Sequence, residues 1–507
     1  MFLHDPLVKM SNLFQKITAP NGITYEQPLG LFIDNKWVTS SNGQKIVSIN
    51  PTTEYEIVSV YAATEDDVDS AVRAARAAFE SGVWHDIDGT GRGQLMMELA
   101  DIVQRNQTVL ATIESLDNGK PYSKAVGDIQ EVCSVLRYYA GWADKHYGQT
   151  IETSRAKFTY TVREPIGVCG QIIPWNYPIG MASWKLGPAL ACGNTIVIKA
   201  SEQTPLSILY FANLVAEAGF PPGVLNIING HGSEAGAALV QHPEVDKIAF
   251  TGSTATGKQI MKVASRTLKN ITLETGGKSP LVIFDDAPLE NAVKAAHFGV
   301  MGNMGQICTA TSRVFVHENI YDSFMDTFVA YSTSVNVIGD PFDNQTSQGA
   351  QVSKQQFDKI LSYVQAAKEE GATILSGGTV ADNRPNNKGY FITPTVVGNV
   401  NSKMRVYREE IFGPFGVFIK FNDENDVIKM ANDTDYGLAA AIYTRDNARI
   451  HRIVPQLKVG MVSVNATNNS DFRVPFGGVK QSGIGRELGQ AGLEAYSNIK
   501  AVLMNIT

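Results

Sequence analysis

The stretch GVCGQII, residues 167–173, opens the part of the sequence that decides the fold. Three more short β-branched runs follow it: TIVIK (195–199), VLNII (224–228) and KIAF (247–250). The segments between them have helical periodicity, as in LSILYFANLVAEAGF. A parallel crossover needs about a dozen residues or more and is usually a helix, so this alternation predicts parallel βαβ units. We therefore expect an α/β fold with a doubly wound parallel sheet.

A second alternation of strand and helix begins at FGVFIKF (415–421) and ends at GMVSVN (460–465). It predicts a second α/β domain. Upstream of the first alternation, VDSAVRAARAAFESG (68–82) and residues 92–107 have the pattern of amphipathic helices. We expect both helices to pack on the first sheet.

Two further segments predict a β arm. FTYTVREP (158–165) alternates polar and apolar side chains before a proline, and AYSNIKAVLMNIT (495–507) ends in an apolar run that a monomer would expose. An exposed apolar strand needs a partner edge. The sequence therefore predicts a homo-oligomer, either a dimer or a tetramer.

Charge and cysteine usage exclude several classes of protein. A net charge of −7 and a pI near 5.7 argue against a nucleic-acid or acidic-membrane partner, because binding to phosphates rewards a basic surface. The cysteines, at positions 133, 169, 192 and 308, have neither CxxC nor metal-ligand spacing. We expect no metal, no disulfide framework, and small molecules as partners.

The first residues, MFLHDPLVKMSNLFQK, contain no arginine and lead into no short apolar core with a cleavage site. No apolar run approaches the ~18 residues that a membrane span needs. These features favour a cytoplasmic protein.

Residues 271–284, ITLETGGKSPLVIF, contain the end of a phosphate-binding P-loop, Gly277-Lys278-Ser279. That loop also needs a glycine five residues before Gly277, where this chain has Thr272. An ATPase is therefore a weak interpretation, and Glu274 is the more interesting residue of this segment.

The segment KIAFTGSTATG (247–257) indicates a dinucleotide site, because a parallel sheet binds nucleotides at the carboxyl ends of its strands. Gly252 and Ser253 lie at the predicted turn, where N–H groups and a hydroxyl could hold a pyrophosphate. An ordinary strand-to-helix turn with a serine N-cap is the alternative. Lys199 and Glu202 follow TIVIK, where a ribose would lie; a solvated charge pair is the alternative there.

Cys308 lies in GNMGQICTATSRVFV (302–316), between a predicted helix and a predicted strand. A cysteine in a glycine-flanked connection has backbone N–H groups near it and little cover, which favours a nucleophilic thiolate. The alternative is an inert buried thiol, which we assign to the other three cysteines. Asn176 in PWNYP (174–178) is suited to stabilise an oxyanion, although a turn-forming asparagine is the commoner use.

Taken together, these motifs resemble the aldehyde dehydrogenase superfamily over about Gln27 to Leu503. QPLGLFIDNKWV and the short N-terminus look most like the cytosolic enzymes of fungi. The motifs that carry the resemblance are PWNYP, TIVIKASEQTP, AGFPPGVLNII, IAFTGSTATG, LETGGKSP, GQICTATSR, EEIFGPFG and PFGGVKQSGIGRELG.

The resemblance implies an aldehyde dehydrogenase-like fold, with two doubly wound parallel-sheet domains and a β oligomerisation arm. The expected bounds are 1–145 and 166–277 for a dinucleotide-binding domain, 278–482 for a catalytic domain, and 146–165 with 483–507 for the arm.

The resemblance also implies the reaction, an NAD-dependent oxidation of an aldehyde to its acid. Cys308 would form a thiohemiacetal and then a thioester, Asn176 and the Cys308 N–H would hold the oxyanion, and Glu274 would activate the hydrolytic water. The glycines Gly276 and Gly277 would let Glu274 approach. Lys185 and Glu487 match residues proposed to relay protons.

Cofactor contacts are implied for Trp175, Lys199, Glu202, Gly252, Ser253, Glu410 and Phe412. NAD is expected over NADP, because the Glu202 carboxylate would accept hydrogen bonds from ribose hydroxyls and repel a 2′-phosphate. The expected substrate tunnel is formed by Tyr177, Met181, Trp184, Ile307, Thr309 and Phe476.

The sequence departs from most relatives at Thr275 and Ile307, which flank reactive groups without replacing them, and residues 465–476 are more polar than usual. The substrate is left open between small aliphatic, aromatic and amino aldehydes. The competing hypotheses are acyl transfer to coenzyme A, a cysteine hydrolase or thioesterase, and a non-catalytic protein that reuses the fold. The presence of Glu274 disfavours the first of these.

Overall fold

The structure is a computed structural model that describes residues 13–506. Residues 1–12, at the start of the predicted dinucleotide-binding domain, lie outside the described residues, and the prediction of a cytoplasmic protein partly rests on them. Thr507, at the end of the predicted arm, also lies outside the described residues.

The strands, in chain order, are β1 (Phe14–Thr18), β2 (Thr24–Pro28), β3 (Leu31–Ile33), β4 (Lys36–Val38), β5 (Lys45–Ile49), β6 (Glu56–Tyr61), β7 (Thr150–Ile151), β8 (Lys157–Pro165), β9 (Val168–Ile172), β10 (Thr195–Lys199), β11 (Leu225–Ile228), β12 (Lys247–Thr251), β13 (Asn270–Glu274), β14 (Pro280–Ile283), β15 (Arg313–His317), β16 (Thr373–Ser376), β17 (Thr395–Gly398), β18 (Phe415–Phe421), β19 (Ala439–Tyr443), β20 (Met461–Val464), β21 (Gly483–Ile484) and β22 (Ser497–Asn505).

The α-helices are Glu65–Glu80, Gly82–His85, Gly89–Arg105, Gln107–Asn118, Tyr122–Ala140, Pro178–Ala191, Leu206–Glu217, Ala237–Gln241, Thr254–Ala264, Leu289–Met301, Tyr321–Val335, Lys354–Glu369, Arg405–Arg408, Glu424–Asn432, Asn447–Ile453 and Gly489–Glu494. Single turns of other helix types occur at Gly232–Gly236, Gly302–Gly305, Pro385–Asn387, Val454–Gln456 and Lys480–Ser482.

The first sheet has the order β21-β13-β12-β9-β10-β11-β3-β4. Its five inner strands, β13, β12, β9, β10 and β11, are parallel, and antiparallel strands extend it at both edges. The predicted doubly wound sheet is therefore confirmed. Its edge strands come from distant parts of the chain, which the local pattern did not indicate.

The second sheet has the order β16-β17-β18-β15-β14-β19-β20, and every neighbouring pair in it is parallel except β16 with β17. This confirms the second α/β unit. Only residues 275–279 separate β13, in the first sheet, from β14, in the second. The two sheets are thus joined by a short connection at one place.

Strand β10 explains why the first sheet forms as it does. All five of its residues are buried, and Ile196 and Ile198 belong to one hydrophobic cluster whereas Val197 belongs to another. Helices cover both faces of the sheet, so an uninterrupted β-branched run is the expected sequence for this strand. The helix Glu65–Glu80 packs on the Val197 face, as predicted.

The helix Gly89–Arg105 packs differently from the prediction. We expected it on the first sheet, but it packs mainly against the helices Tyr122–Ala140, Pro178–Ala191 and Leu206–Glu217. An amphipathic stripe requires an apolar neighbour but does not specify whether that neighbour is a sheet or another helix.

The arm also differs from the expectation in one respect. Strand β22 pairs antiparallel with β8 of the same chain along its whole length, and β7 adds a third strand. One edge of β22 is therefore paired within the chain, which the sequence argument did not anticipate, and in the order β22-β8-β7 this strand lies at the edge of its sheet. Its apolar side chains still face outward, with Ile499 60% and Leu503 65% exposed.

In the described part of the chain, no helix combines the length and the apolar character that crossing a bilayer requires.

Candidate active site

A cavity of about 390 Å³ lies where the carboxyl ends of the parallel strands of the first sheet face the segments that lead into the second sheet. Glu274 ends β13, and Cys308 precedes β15. The predicted residues that line this cavity are Cys308, Glu274, Asn176, Glu487, Trp175, Gly252, Ser253, Glu410, Phe412, Tyr177, Met181, Trp184, Ile307, Thr309 and Phe476. The fold therefore gathers nearly the whole predicted site around one space.

Cys308 is held by an unusual backbone segment. Asn303 and Met304 have φ values of 45° and 57°, and a Cβ at Gly305 would overlap the carbonyl oxygen of Gly413. These conformations fix the turn that leads to Cys308.

The Cys308 thiol is half-buried. Burial raises its pKa to about 12, and the nearby carboxyl groups of Glu274 and Glu410 raise it in the same direction. Burial and the two acidic neighbours thus oppose the thiolate that the backbone N–H groups would favour.

Asn176 is buried and fixed from two sides. Its side-chain Nδ2 donates to the backbone carbonyl oxygen of Gln306 at 2.9 Å. The backbone carbonyl oxygen of Asn176 accepts from Lys120 Nζ at 3.1 Å. An amide nitrogen carries two hydrogens, so one of them is left for a further acceptor. The Asn176 side chain is thus held by the backbone of Gln306, two residues before Cys308, and offers a donor in the cavity that Cys308 lines.

Glu274 is buried, and neither carboxylate oxygen has a hydrogen-bond partner among the described residues. Burial and the neighbouring Glu487 carboxyl raise the pKa of Glu274 well above its usual value, against the opposing effect of Lys185 and Arg486. A carboxyl group in such surroundings takes up a proton readily, as a general base must.

The glycines around Glu274 have different roles from those expected. A Cβ at Gly477 would lie 2.6 Å from Glu274 Oε1, so Gly477 makes room for this carboxylate. A Cβ at Gly276 would instead overlap the Glu410 carboxylate, and one at Gly277 would lie 2.6 Å from the Cys308 carbonyl oxygen. The expectation that Gly276 and Gly277 open the approach of Glu274 is corrected accordingly.

Lys185 does not line the cavity but contacts it through a buried ion pair with Glu487. Lys185 Nζ also donates to Thr251 Oγ1 at 2.6 Å. The Glu487 backbone pairs with that of Phe476, which holds the carboxylate at the cavity wall. The Lys185–Glu487 ion pair therefore connects the space near Glu274 with Thr251, at the end of β12.

The predicted turn between β12 and the following helix is present, but one of its N–H groups is not free as expected. Ser253 Oγ accepts from Thr256 N at 3.2 Å and caps the helix Thr254–Ala264. The Gly252 N–H, which we expected to be free for a pyrophosphate, donates to the Glu274 carbonyl oxygen at 3.0 Å. The first turn of the helix still offers its N–H groups toward an anion.

Lys199 and Glu202 lie at the end of β10, apart from the cavity, and form an ion pair at 3.1 Å. Burial lowers the pKa of Lys199. Although burial alone would raise the pKa of Glu202, the Lys199 ammonium and backbone hydrogen bonds keep it below its usual value. Glu202 is thus a charged, partly accessible carboxylate at the edge where a doubly wound sheet receives a ribose.

Glu410 and Phe412 precede β18 and close the cavity from the second sheet. Glu410 Oε1 accepts from the Gly277 N–H at 2.9 Å. Phe412 has a φ of 63°, and its ring meets that of Trp175 edge to face, with centroids 5.2 Å apart.

Sequence reasoning missed several residues of the cavity wall. Asp128, Glu131, Gln356 and Lys359 line it, and Lys120 lies just behind it. Asp128 and Glu131 are three residues apart on the helix Tyr122–Ala140, so they share one face. That spacing was the available signal, but it is also common on solvated helix surfaces.

Groups of three or more His, Cys, Asp or Glu side chains suited to a metal ion do not occur within residues 13–506. Cys133, Cys169 and Cys192 are buried, and burial raises the pKa of each thiol.

The comparison with known families decides the identity. Residues 37–502 match the model described as "Aldehyde dehydrogenase family". The chain belongs to the aldehyde dehydrogenase family. It is therefore an oxidoreductase that acts on aldehydes, and the resemblance found in its motifs is confirmed.

Similar members of the family include fungal and animal aldehyde dehydrogenases. The chain is 52% identical to an aldehyde dehydrogenase of Aspergillus niger, over 97% of this chain and 98% of the relative. It is 49% identical to the mitochondrial aldehyde dehydrogenase of Homo sapiens, over 97% and 95%.

Solved structures confirm the aldehyde dehydrogenase fold. The NAD+ complex of the Bacillus cereus aldehyde dehydrogenase superposes with a TM-score of 0.93 at 45% identity, covering 100% of this chain and 99% of that chain. An NAD+ complex of betaine aldehyde dehydrogenase from Staphylococcus aureus gives 0.93 at 41% identity, covering 94% and 95%.

Proposed function

We propose that this aldehyde dehydrogenase oxidises a small aldehyde to its carboxylic acid with NAD, through a thioester on Cys308 that water hydrolyses. The observation that carries the proposal is the single cavity that Cys308, Glu274 and Asn176 line, beside the turn that caps the helix Thr254–Ala264.

The chain's own residues fit the dinucleotide. Ser253 begins the helix Thr254–Ala264 at the carboxyl edge of the first sheet, and Glu202 offers a charged carboxylate to ribose hydroxyls at the same edge. Trp175, Glu410 and Phe412 would hold the nicotinamide end beside Cys308. When bound, NAD supplies the acceptor for the hydride.

The first chemical step is the addition of sulfur to the aldehyde. Cys308 gives its proton to the raised-pKa Glu274 carboxylate, and its sulfur bonds to the carbonyl carbon. The carbonyl oxygen becomes an anion, which the free Asn176 N–H and the Cys308 backbone N–H stabilise. The carbon then carries four substituents and can release its hydrogen with the electron pair, which leaves a thioester on Cys308.

The second step is hydrolysis. Glu274 must first return to its ionised form, and the Glu487–Lys185 pair provides a route for the released proton toward Thr251. Glu274 then takes a proton from water, the resulting hydroxide attacks the thioester carbon, and the bond to sulfur breaks. The carboxylic acid leaves, and the Cys308 thiolate recovers its proton.

The test of this function is NADH formation from a panel of aliphatic, aromatic and amino aldehydes. We expect turnover to the acid, with kcat/KM for NAD at least about tenfold above that for NADP, because a 2′-phosphate would meet the Glu202 charge. A preference for NADP would overturn the role of Glu202. Activity on esters without any cofactor would favour a hydrolase, and acyl-CoA formation in place of acid would favour acyl transfer.

Asn176→Ala tests the oxyanion site. Removing one oxyanion donor typically costs ~3 kcal/mol of barrier, so we expect kcat to fall by about 100-fold with the fold intact. Steady-state NADH formation and a thermal unfolding curve measure the two effects. A kcat within about threefold of the unmutated protein would remove Asn176 from the oxyanion site.

For the division of the chain we propose the bounds that the resemblance implies: a dinucleotide-binding domain at 1–145 and 166–277, a catalytic domain at 278–482, and an arm at 146–165 and 483–507. The short strand β21, at the start of the last segment, pairs with β13 in the first sheet. The outward apolar side chains of β22, including Ile499 and Leu503, support self-association through the arm.

A further inference from the structure

We propose that the second sheet carries a binding site of its own, a cleft that takes a small organic carboxylate with an apolar body. The cleft has a volume of about 710 Å³ and lies outside the active-site cavity, at the carboxyl ends of β14, β19 and β20. This inference goes beyond the proposed function and does not depend on the chemistry proposed for Cys308.

The order of the strands explains why a cleft forms at this place. From β14 the chain passes to β15 on one side, whereas β19 and β20 lie on the other side of β14. The helix Leu289–Met301, which follows β14, shares a hydrophobic cluster with Leu281 and Ile283. The helix Asn447–Ile453, which follows β19, shares another cluster with Val282, on the opposite face of the sheet. Such a reversal leaves a crevice between the two strand ends, which is where open α/β sheets bind ligands.

The walls of this cleft carry positive charge only. Lys294 and Arg445 line it, and no aspartate or glutamate of the described chain does. Both side chains are exposed, and neither forms an ion pair within residues 13–506. In a chain with a net charge of −7, two unpaired cations at one cleft are a local site for an anion.

Asp286 lies close to the cleft in sequence but does not neutralise Arg445. Its carboxylate accepts from Thr444 Oγ1 at 2.9 Å and pairs with Arg449 Nη1 at 2.9 Å. It also accepts from the backbone N–H of Arg445 at 2.8 Å. These bonds fix the backbone at Arg445 and leave its guanidinium without a carboxylate partner.

The remaining walls suit the apolar body of a ligand. Asn291, Lys294 and Phe298 are spaced three and four residues apart, so they share one face of the helix Leu289–Met301. The Phe298 side chain is 50% exposed and also lines the active-site cavity, so the cleft adjoins that cavity. The cleft therefore combines an aromatic surface with two cations and with the amide of Asn291.

A carboxylate fits this cleft better than a nucleotide does. Nucleotides at a switch point rest their phosphates on a glycine-rich turn between strand and helix. The turn after β14 has instead the sequence Asp285-Asp286-Ala287-Pro288, whose two acids would repel a pyrophosphate. A guanidinium pairs well with a single carboxylate, and Arg445 supplies one.

The test compares the binding of 4-fluorobenzoate and 4-fluorobenzamide, which have nearly the same shape and differ in charge. Fluorine NMR titration of the unmutated protein should give a Kd for the carboxylate of about 1 mM or below, and at least about fivefold weaker binding of the amide. In Lys294→Gln/Arg445→Gln, binding of 4-fluorobenzoate should weaken by about five- to tenfold. Binding of 4-fluorobenzamide should stay within about twofold.

Arg266→Gln/Lys368→Gln is the matched control, because it removes the same two charges from exposed positions outside the cleft. It should leave both Kd values unchanged. An equal loss of carboxylate binding in the two double variants would show a general effect of net charge and would overturn the proposal. Equal affinity for the two ligands, or no loss in Lys294→Gln/Arg445→Gln, would also overturn it.

A crystal soaked with 4-bromobenzoate locates the ligand without any variant. The anomalous signal of bromine should appear in the cleft between Phe298 and Arg445. A bromine found only in the active-site cavity, or nowhere on the protein, would refute the second site.

Discussion

Cys308→Ser should lose both the first turnover of NADH and steady-state oxidation, with kcat reduced by about 10⁴-fold or more. A serine hydroxyl in this cavity is a poorer nucleophile than a thiol, and burial that already raises the pKa of the Cys308 thiol to about 12 would disfavour an alkoxide far more. Rapid-mixing measurements of NADH absorbance, with enzyme and NAD in excess over the aldehyde, measure the first turnover directly.

Cys133→Ser is the control for this prediction, since that thiol is buried in the helix Tyr122–Ala140 and does not line the cavity. It should keep its activity if it folds. Mass spectrometry of unmutated protein quenched during turnover should find the acyl group on Cys308. An acyl group on another residue, or normal turnover in Cys308→Ser, would refute the covalent mechanism.

Glu274→Gln should separate the two halves of the reaction. We expect one stoichiometric burst of NADH followed by steady turnover slowed by about 10²- to 10⁴-fold, because a general base typically contributes that factor and the amide cannot take a proton from water. The acyl-enzyme should accumulate and be visible by mass spectrometry. In the unmutated protein Cys308 gives its proton to Glu274, so another proton acceptor must take that place in Glu274→Gln. The burst should therefore form more slowly, and its rate would measure how far Glu274 also serves Cys308.

The pH dependence gives an independent check on Glu274. Burial and Glu487 raise the pKa of this carboxyl, so its basic form becomes more populated as pH rises. The steady rate of the unmutated protein should therefore increase with pH across the titration of Glu274, and this limb should vanish in Glu274→Gln. Steady turnover at the unmutated rate in Glu274→Gln would contradict its assignment as the base.

Local sequence patterns predicted the inner strands of both sheets, because those strands are buried on both faces. TIVIK coincides with β10 residue for residue, and FGVFIKF with β18. The places of β3 and β21 at the sheet edges were beyond such reasoning, because these strands pair with β11 and β13, far away in sequence, and that pairing depends on the assembled fold. The same holds for β22, whose partner strand lies more than 300 residues earlier in the chain.

Motifs predicted the reactive groups that we propose, but not the surroundings of those groups. Burial and the approach of Glu410, which raise the pKa of the Cys308 thiol, are properties of the folded chain that no motif shows. Gly477, which gives Glu274 its space, was not distinguishable from the other glycines of its segment. Glu131 looked like an ordinary helix charge in the sequence, and only the folded structure shows that it lines the cavity.

The hydrogen bond from the Gly252 N–H to the Glu274 carbonyl oxygen ties the proposed nucleotide turn to the residue that we propose as the base. Attempts to engineer cofactor preference by remodelling residues 252–257 would therefore disturb acid release as well. Variants retuned in that way would have to be screened for deacylation and for nucleotide affinity together.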